Sequence, residues 1–361
     1  LHKAIRRQRQ VCIRDRLKTG LLRNFAVYML KNYDFILFFY NTWFRIKNRR
    51  KFNTTIAERA HLAIFDYKEL AKPLPFYPRE TVKDSNYYGY FHALRQYMGI
   101  DKRLPYAIEH GLYLGSFVPK ATFFRTTKSI ITFSANRERH LKNAGVKKRV
   151  VTIGPYIHYA ANYYNETEYN ALKKELGKTL LVFPSHSFLN TSVNLDIEEF
   201  INCIQEKAVG FDSVLVCLYY KDILNDTFCK RYEDAGFRIV TAGNFYDLNF
   251  VSRLKSIISL ADFTMSNATG THIGYCIYMN KPHYIFRQKI ERTFDKSGKI
   301  IENSTFRNKE QCLTLEEEKA ELFDAFSEIC DEITPKQRDV INKYWGVSSI
   351  RTKEELIQLL K

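Results

Sequence analysis

Acidic residues are scarce relative to basic ones: across 361 residues, 39 Asp and Glu face 56 Lys and Arg, a formal net charge of +17. That balance points toward anionic partners. Cysteine is sparse and unpatterned. Cys12, Cys203, Cys217, Cys229, Cys276, Cys312 and Cys330 form no C-x-x-C pair and no metal-type spacing with histidine. Settings such as Val214-Leu215-Val216-Cys217-Leu218 read as reduced core positions, so neither disulfides nor a zinc site is expected, and the expected compartment is the cytoplasm. The chain also lacks a D-x-D motif, which would hold a divalent metal against a diphosphate, and shows no cleavable signal, internal repeat or low-complexity tract. Long apolar runs are missing too. The best stretch, Asn24 to Phe44, carries Lys31 and Asp34 near its middle, where a charge is costly in a bilayer, so no transmembrane span is expected.

What is present fits a globular protein of two domains. The length exceeds one typical domain, and the 45% hydrophobic fraction is enough to bury real cores. The positive charge is concentrated at the start: residues 1 to 51 hold fourteen basic side chains against Asp15 and Asp34. Among them lie Phe25, Tyr28, Phe35, Phe38, Phe39, Tyr40, Trp43 and Phe44, a mixture suited to an anionic membrane surface, where rings sit at headgroup level and cations meet phosphates. The alternative is a helix whose aromatic face packs on the first domain. Residues 1–53 are therefore read as a basic aromatic extension, 54–158 as an N-terminal Rossmann-like domain and 159–361 as a C-terminal Rossmann-like domain with a helical tail.

Short apolar runs alternate with helical patterns, the signature of parallel βαβ units. In the first half the expected strands are His61–Phe65, Leu104–Glu109, Ser129–Phe133 and Val150–Ile153. In the second they are Thr179–Phe183, Ser213–Leu218, Phe237–Thr241, Phe263–Met265 and His283–Phe286, with helices near Ile197–Lys207, Asn225–Ala235, Phe250–Leu260 and Thr271–Met279. The Tyr- and Asn-rich stretch from Gly154 to Thr167 reads as the interdomain linker, and the tail from Leu313 as helical. The fold class is thus α/β, two Rossmann-like domains facing a cleft, with a basic extension before them and helices after.

In open α/β sheets ligands sit beyond the carboxyl ends of the strands, which selects the loops to inspect. Ser266-Asn267-Ala268-Thr269-Gly270-Thr271-His272 follows a strand and opens a helix. Its small, hydroxylated residues, free N–H groups and helix dipole make a site for a diphosphate, and Gly270 permits close backbone approach. Ser185 and His186, after the first strand of the second sheet, face the same cleft and can join the donor phosphates. Glu109-His110-Gly111 ends a strand of the first half: an imidazole titrating near neutrality can take a proton from an attacking hydroxyl, and Glu109 can raise its basicity or act itself. Asn244, Tyr246 and Asp247 lie where a nucleobase or ribose can be held by stacking and carboxylate hydrogen bonds. The remaining histidines His61, His92, His140, His158 and His283 have no distinguishing spacing and read as structural.

From Ser129 to Phe286 the chain resembles bacterial capsule and surface-polysaccharide transferases of GT-B type, through "SIITFSANRERHLKNAGVKKRVVTIGPYIHYA", "LLVFPSHSF" and "GFRIVTAGNFYDLNFVSRLKSIISLADFTMSNATGTHIGYCIYMNKP", with "KYWG" later. It is more distantly similar to the teichoic-acid glycerophosphotransferases, which share a His-Gly at the end of a first-domain strand, here His110-Gly111, and a serine-rich phosphate loop before a "KP" strand, here Ser266 to Thr271 and Lys281-Pro282. The resemblance implies that His110 is the base. Where those enzymes carry an aspartate in the loop, this chain has Ser266-Asn267, which argues against a glycerol-phosphate donor. Nonhydrolysing nucleotide-sugar epimerases share the fold, but no acidic helix start follows the phosphate loop here.

The expected activity is metal-independent transfer of a sugar from a nucleotide-sugar donor to a growing surface polysaccharide or a polyprenyl-linked glycan, at the inner face of the membrane, with no cofactor and no nucleic-acid partner. The rivals are glycerol- or ribitol-phosphate transfer on the same scaffold, and noncatalytic binding of nucleic acid by the basic segment.

Overall fold

A computed structural model describes residues 22–188 and 190–360. The first part of the basic extension, 1–21, lies outside the described residues.

The chain begins with helices α1 (22–32) and α2 (Asp34–Arg59), then α3 (Tyr67–Ala71) and α4 (Tyr90–Met98). A first sheet follows from β1 (Tyr106–Ile108), β2 (Ser129–Thr132), α5 (Ala135–Asn143) and β3 (Arg149–Thr152). Helix α6 (Glu166–Leu176) leads into β4 (Thr179–Phe183), β5 (Thr191–Leu195), α7 (Ile197–Lys207), β6 (Ser213–Cys217), α8 (Tyr220–Ile223), α9 (Asp226–Asp234) and β7 (Arg238–Val240). Then come α10 (Phe250–Leu260), β8 (Phe263–Ser266), α11 (Thr271–Tyr278), β9 (His283–Ile285) and β10 (Ile290–Phe294), and finally α12 (Lys309–Phe326), α13 (Pro335–Trp345) and α14 (Lys353–Leu360).

Two parallel sheets result, ordered β1-β2-β3 and β7-β6-β4-β8-β9, plus an antiparallel ribbon β10-β5. This is the expected α/β architecture of two Rossmann-like halves. Strand β4 shows why the larger sheet forms: all five of its residues are buried, as a central parallel strand covered on both faces requires. Helix starts are set by local chemistry. Asn165 and Glu168 close a capping box on α6, and Thr334 and Gln337 do so on α13, with Pro335 in its first turn.

One expected strand is absent. His61–Phe65 is a turn, not a strand, because its backbone finds only single partners: the Ile64 carbonyl accepts from Thr241 N–H (3.2 Å), and Ile64 N–H donates to the Tyr164 hydroxyl (2.9 Å). The Gly154–Thr167 stretch is packed, with Tyr156, Ile157 and Tyr159 buried in the core.

The tail crosses back to the first half. Arg149 and the Tyr106 hydroxyl both donate to the Leu359 carbonyl, and the Tyr159 hydroxyl accepts from Arg351 N–H. Gly346 lies so close to β2 that a Cβ there would meet the Phe133 carbonyl at 2.4 Å. One continuous core therefore joins Ile131, Phe133 and Tyr156 of the first half to Leu181 and Tyr275 of the second and to Trp345 of the tail.

Helix α2 docks on the first half through one stripe. Asn41 Nδ2 donates to the Thr81 carbonyl, Asn48 Nδ2 to the Phe76 carbonyl, Phe44 packs on Phe76, and Phe52 stacks on Tyr77. Phe35, Phe38, Phe39, Trp43 and Ile46 remain exposed, so most of the aromatic surface is not consumed by packing. Among the described residues no helix is long and apolar enough to cross a membrane.

Candidate active site

The loop after β8 is built from beneath by His283. His283 Nδ1 donates to Thr264 Oγ1 (2.7 Å), whose own proton goes to the Pro282 carbonyl (2.8 Å). His283 Nε2 lies 3.0 Å from Ser266 Oγ, whose hydroxyl also reaches the Ala268 carbonyl (3.0 Å). Burial holds His283 well below the ordinary imidazole range, so this relay is neutral. Ser266 is accordingly a buried strut. Asn267 is a strut as well: its Oδ1 accepts from Ser185 N–H (2.7 Å) and its Nδ2 donates to Gln288 Oε1 (2.9 Å), joining the loop after β8 to the loop after β4.

Thr269, Gly270 and Thr271 are half-exposed at the start of α11, and no side chain caps that helix. Its end therefore keeps the positive pole of the dipole available. Gly270 makes room inside the protein: a Cβ there would come within 2.7 Å of the His272 ring, which folds back to stack on Phe183 at 4.6 Å. His272 Nε2 is buried without a partner, and burial, followed by the nearby His186, pushes this imidazole down to about 3. Thr271 reaches the other half. Its Oγ1 accepts the Leu112 N–H at 2.9 Å, so the helix start and the His110 loop touch.

Ser185 and His186 occupy the same edge. Ser185 is buried and its Oγ accepts from Arg292 Nη2 at 3.0 Å. His186 Nδ1 donates to the Ser187 carbonyl (3.0 Å), and its ring lies between Phe188 and Tyr219; burial lowers its pKa. Arg292, on β10, was not anticipated from the sequence. It is one of many cations, and only the β5–β10 ribbon delivers it to this loop.

His110 stands in a cage of Tyr87, Tyr88 and Tyr113, with ring centroids 5.4, 6.2 and 6.1 Å away. Burial lowers its pKa, opposed by the charges of Asp84 and Glu109, which keeps the imidazole neutral and able to accept a proton near pH 7. Beside it opens a small, solvent-open hollow lined by Asp84, Tyr113, Pro119, Thr122 and Thr127 among others, all from the first half.

Glu109 does not fit the role of base. Its carboxylate is gripped by Arg137, whose Nη2 and Nε donate at 2.7 and 3.0 Å, and it accepts from Thr132 Oγ1 at 2.7 Å. Both oxygens are engaged and buried, so its work is to hold the end of β1 against α5.

The nucleoside expectation is also revised. Asp247 is fully buried and ion-paired with Arg253 (2.9 Å) and Arg59 (3.8 Å), leaving no surface for a ribose. Asn244 is buried too, its Oδ1 accepting from Tyr246 N–H, and Tyr246 packs among Phe76, Tyr87 and Phe245. These residues fasten the halves together. The Phe245 carbonyl accepts from Tyr88 N–H (2.7 Å), and Gly89, at φ 66°, sits where a Cβ would come within 2.1 Å of the Leu248 carbonyl.

Of the histidines read as structural, His140 Nε2 meets Glu318 (2.9 Å) and His158 Nδ1 meets the Tyr278 hydroxyl (2.5 Å).

No family model and no curated protein matches the chain. Solved structures with some likeness include the S. aureus MnaA–UDP co-structure, with a TM-score of 0.34 and 11% identity over 72% of this chain and 66% of that one. The wall teichoic acid polymerase TagF gives 0.37 and 15% over 70% of this chain and 66% of that one. Phytolacca americana UGT2, complexed with UDP-2-fluoro-glucose and pterostilbene, gives 0.26 and 12% over 77% and 63%. This chain spans just under two thirds of each of those chains. Likenesses of this size carry no statement about activity, which has to be argued from the side chains.

Proposed function

We propose that the chain is a glycosyltransferase of GT-B type that uses a nucleotide-sugar donor, with His110 as general base. The contact between Leu112 and Thr271 carries this reading, because it sets a neutral imidazole in one half two residues from the uncapped helix start of the other. Transfer needs a proton taken from the acceptor hydroxyl while charge develops on the departing nucleotide diphosphate. The imidazole can do the first, and the α11 pole with Ser185, Thr269 and Thr271 the second. The hollow beside His110 suits the acceptor, and a polyprenyl-linked or growing surface glycan fits an exposed aromatic, basic α2 that can rest on anionic lipid.

Purified protein offered a panel of nucleotide sugars and CDP-alditols, with release of nucleotide as the readout, tests the reading. Turnover of one or more nucleotide sugars is expected. Turnover of CDP-alditols alone would replace it with alditol-phosphate transfer.

A further inference from the structure

A file of aromatic rings runs from His110 in the first half to the loop after β4 in the second. The Tyr88 ring lies 6.2 Å from His110, the Tyr88 and Tyr219 hydroxyls meet at 3.5 Å, and the Tyr219 ring lies 4.5 Å from His186, the neighbour of Ser185. Tyr88 precedes α4 and Tyr219 follows β6, so the two phenols face each other across the boundary between the halves. Both residues keep part of their surface exposed.

Tyr88 is held there against its own backbone preference. Its φ is 60°, in the left-handed region that a bulky side chain avoids. The conformation is fixed from the second half: Tyr88 N–H donates to the Phe245 carbonyl (2.7 Å), and Phe250 packs on the ring at 4.8 Å. Strain that the surroundings lock in place, beside a candidate base, points to a side chain whose position matters. A phenol offers one proton and two lone pairs, and 3.5 Å is the outer limit of a hydrogen bond. The pair therefore spends at most one of its two protons on itself. Burial raises the pKa of both phenols, so they stay protonated across the neutral range. Uncharged donors and acceptors set among rings match a polyol, which needs both kinds of partner and presents C–H faces to aromatic surfaces; a phosphate would select cations.

We propose that the Tyr88 and Tyr219 hydroxyls form a subsite for the polyol group carried by the activated donor, between His110 and the Ser185 loop. This rests on the transferase reading for its role: the group in flight lies between the base and the departing diphosphate, and these two phenols link those two points. A sugar and an open-chain alditol share the chemistry, so experiment separates them.

The test uses the full chain with Tyr88→Phe and Tyr219→Phe, which keep the rings and remove only the hydroxyls. Calorimetry compares UDP with UDP-glucose and UDP-N-acetylglucosamine, GDP with GDP-mannose, and CDP with CDP-glycerol and CDP-ribitol. Wild-type protein should bind at least one loaded nucleotide more tightly than its bare counterpart. Each variant should lose about fivefold to tenfold in affinity for that loaded nucleotide and keep wild-type affinity for the bare one, a split that general loss of structure does not produce. Unchanged affinity for the loaded nucleotide in both variants overturns the subsite, and continued turnover of a nucleotide sugar then leaves the transferase reading standing. Equal loss for loaded and bare nucleotide also overturns it, as does a wild-type chain with no preference for any loaded nucleotide. Selective loss confined to the CDP-alditols keeps the subsite and removes the glycosyl reading.

Discussion

The Thr271 hydroxyl accepts the Leu112 amide across the two halves of the molecule, 159 residues apart in sequence. Removing that acceptor by Thr271→Val should strand a part-buried N–H and cost about 1–3 kcal/mol, with faster hydrogen exchange at the Leu112 amide. Thr271→Ser should restore both. Equal exchange in the Val variant would show that the contact does not hold the loops together.

His110→Ala should abolish transfer while leaving donor binding intact. In wild-type protein the acid limb of kcat/KM should bend below the ordinary imidazole value, since burial favours the neutral ring. Unaltered turnover in the Ala variant removes His110 from the mechanism.

Glu109→Gln should behave as a folding lesion. Leaving the Arg137 charge without its carboxylate costs about 3–5 kcal/mol, and the melting temperature should drop before any kinetic change can be assigned. A variant as stable as wild type but inactive would return Glu109 to the chemistry.

Acid should destabilise the fold earlier than carboxylate titration alone would. Burial depresses His272 to about 3 and His92 to about 4, and holds His283 well below the usual value of 6.5. Groups with depressed folded pKa contribute stability above their unfolded pKa, and that contribution drains away as pH falls toward the folded values. Melting temperature should therefore decline from about pH 6.5 toward pH 4; a level profile across that window would contradict the assignment of neutral buried rings.

Phe38→Ser, Phe39→Ser and Trp43→Ser together should leave thermal stability unchanged, because these rings are exposed, and should lower cosedimentation with anionic phosphatidylglycerol vesicles. Equal sedimentation of variant and wild type would remove the lipid role of α2.

Much of the larger sheet was legible because its strands are continuous apolar runs, as in Leu180-Leu181-Val182-Phe183. Strands β5 and β10 were not, since their residues are half-buried or exposed and leave no apolar face to read. The same gap hid Arg292. His61–Phe65 has the composition of a strand yet pairs with nothing in a ladder, which composition cannot reveal. The site loops were found because small residues after a strand signal a helix start. The engagement of Glu109 by Arg137, and of Asp247 by Arg59 and Arg253, was invisible because the partners meet only in the folded chain.

Trp345 donates its indole N–H to the Thr271 carbonyl at 3.0 Å and fills the space above Gly274, where a Cβ would lie 2.2 Å from its ring. The tail thus staples α11 to the half it faces. Swinging the two halves apart would have to pull that indole out of the core.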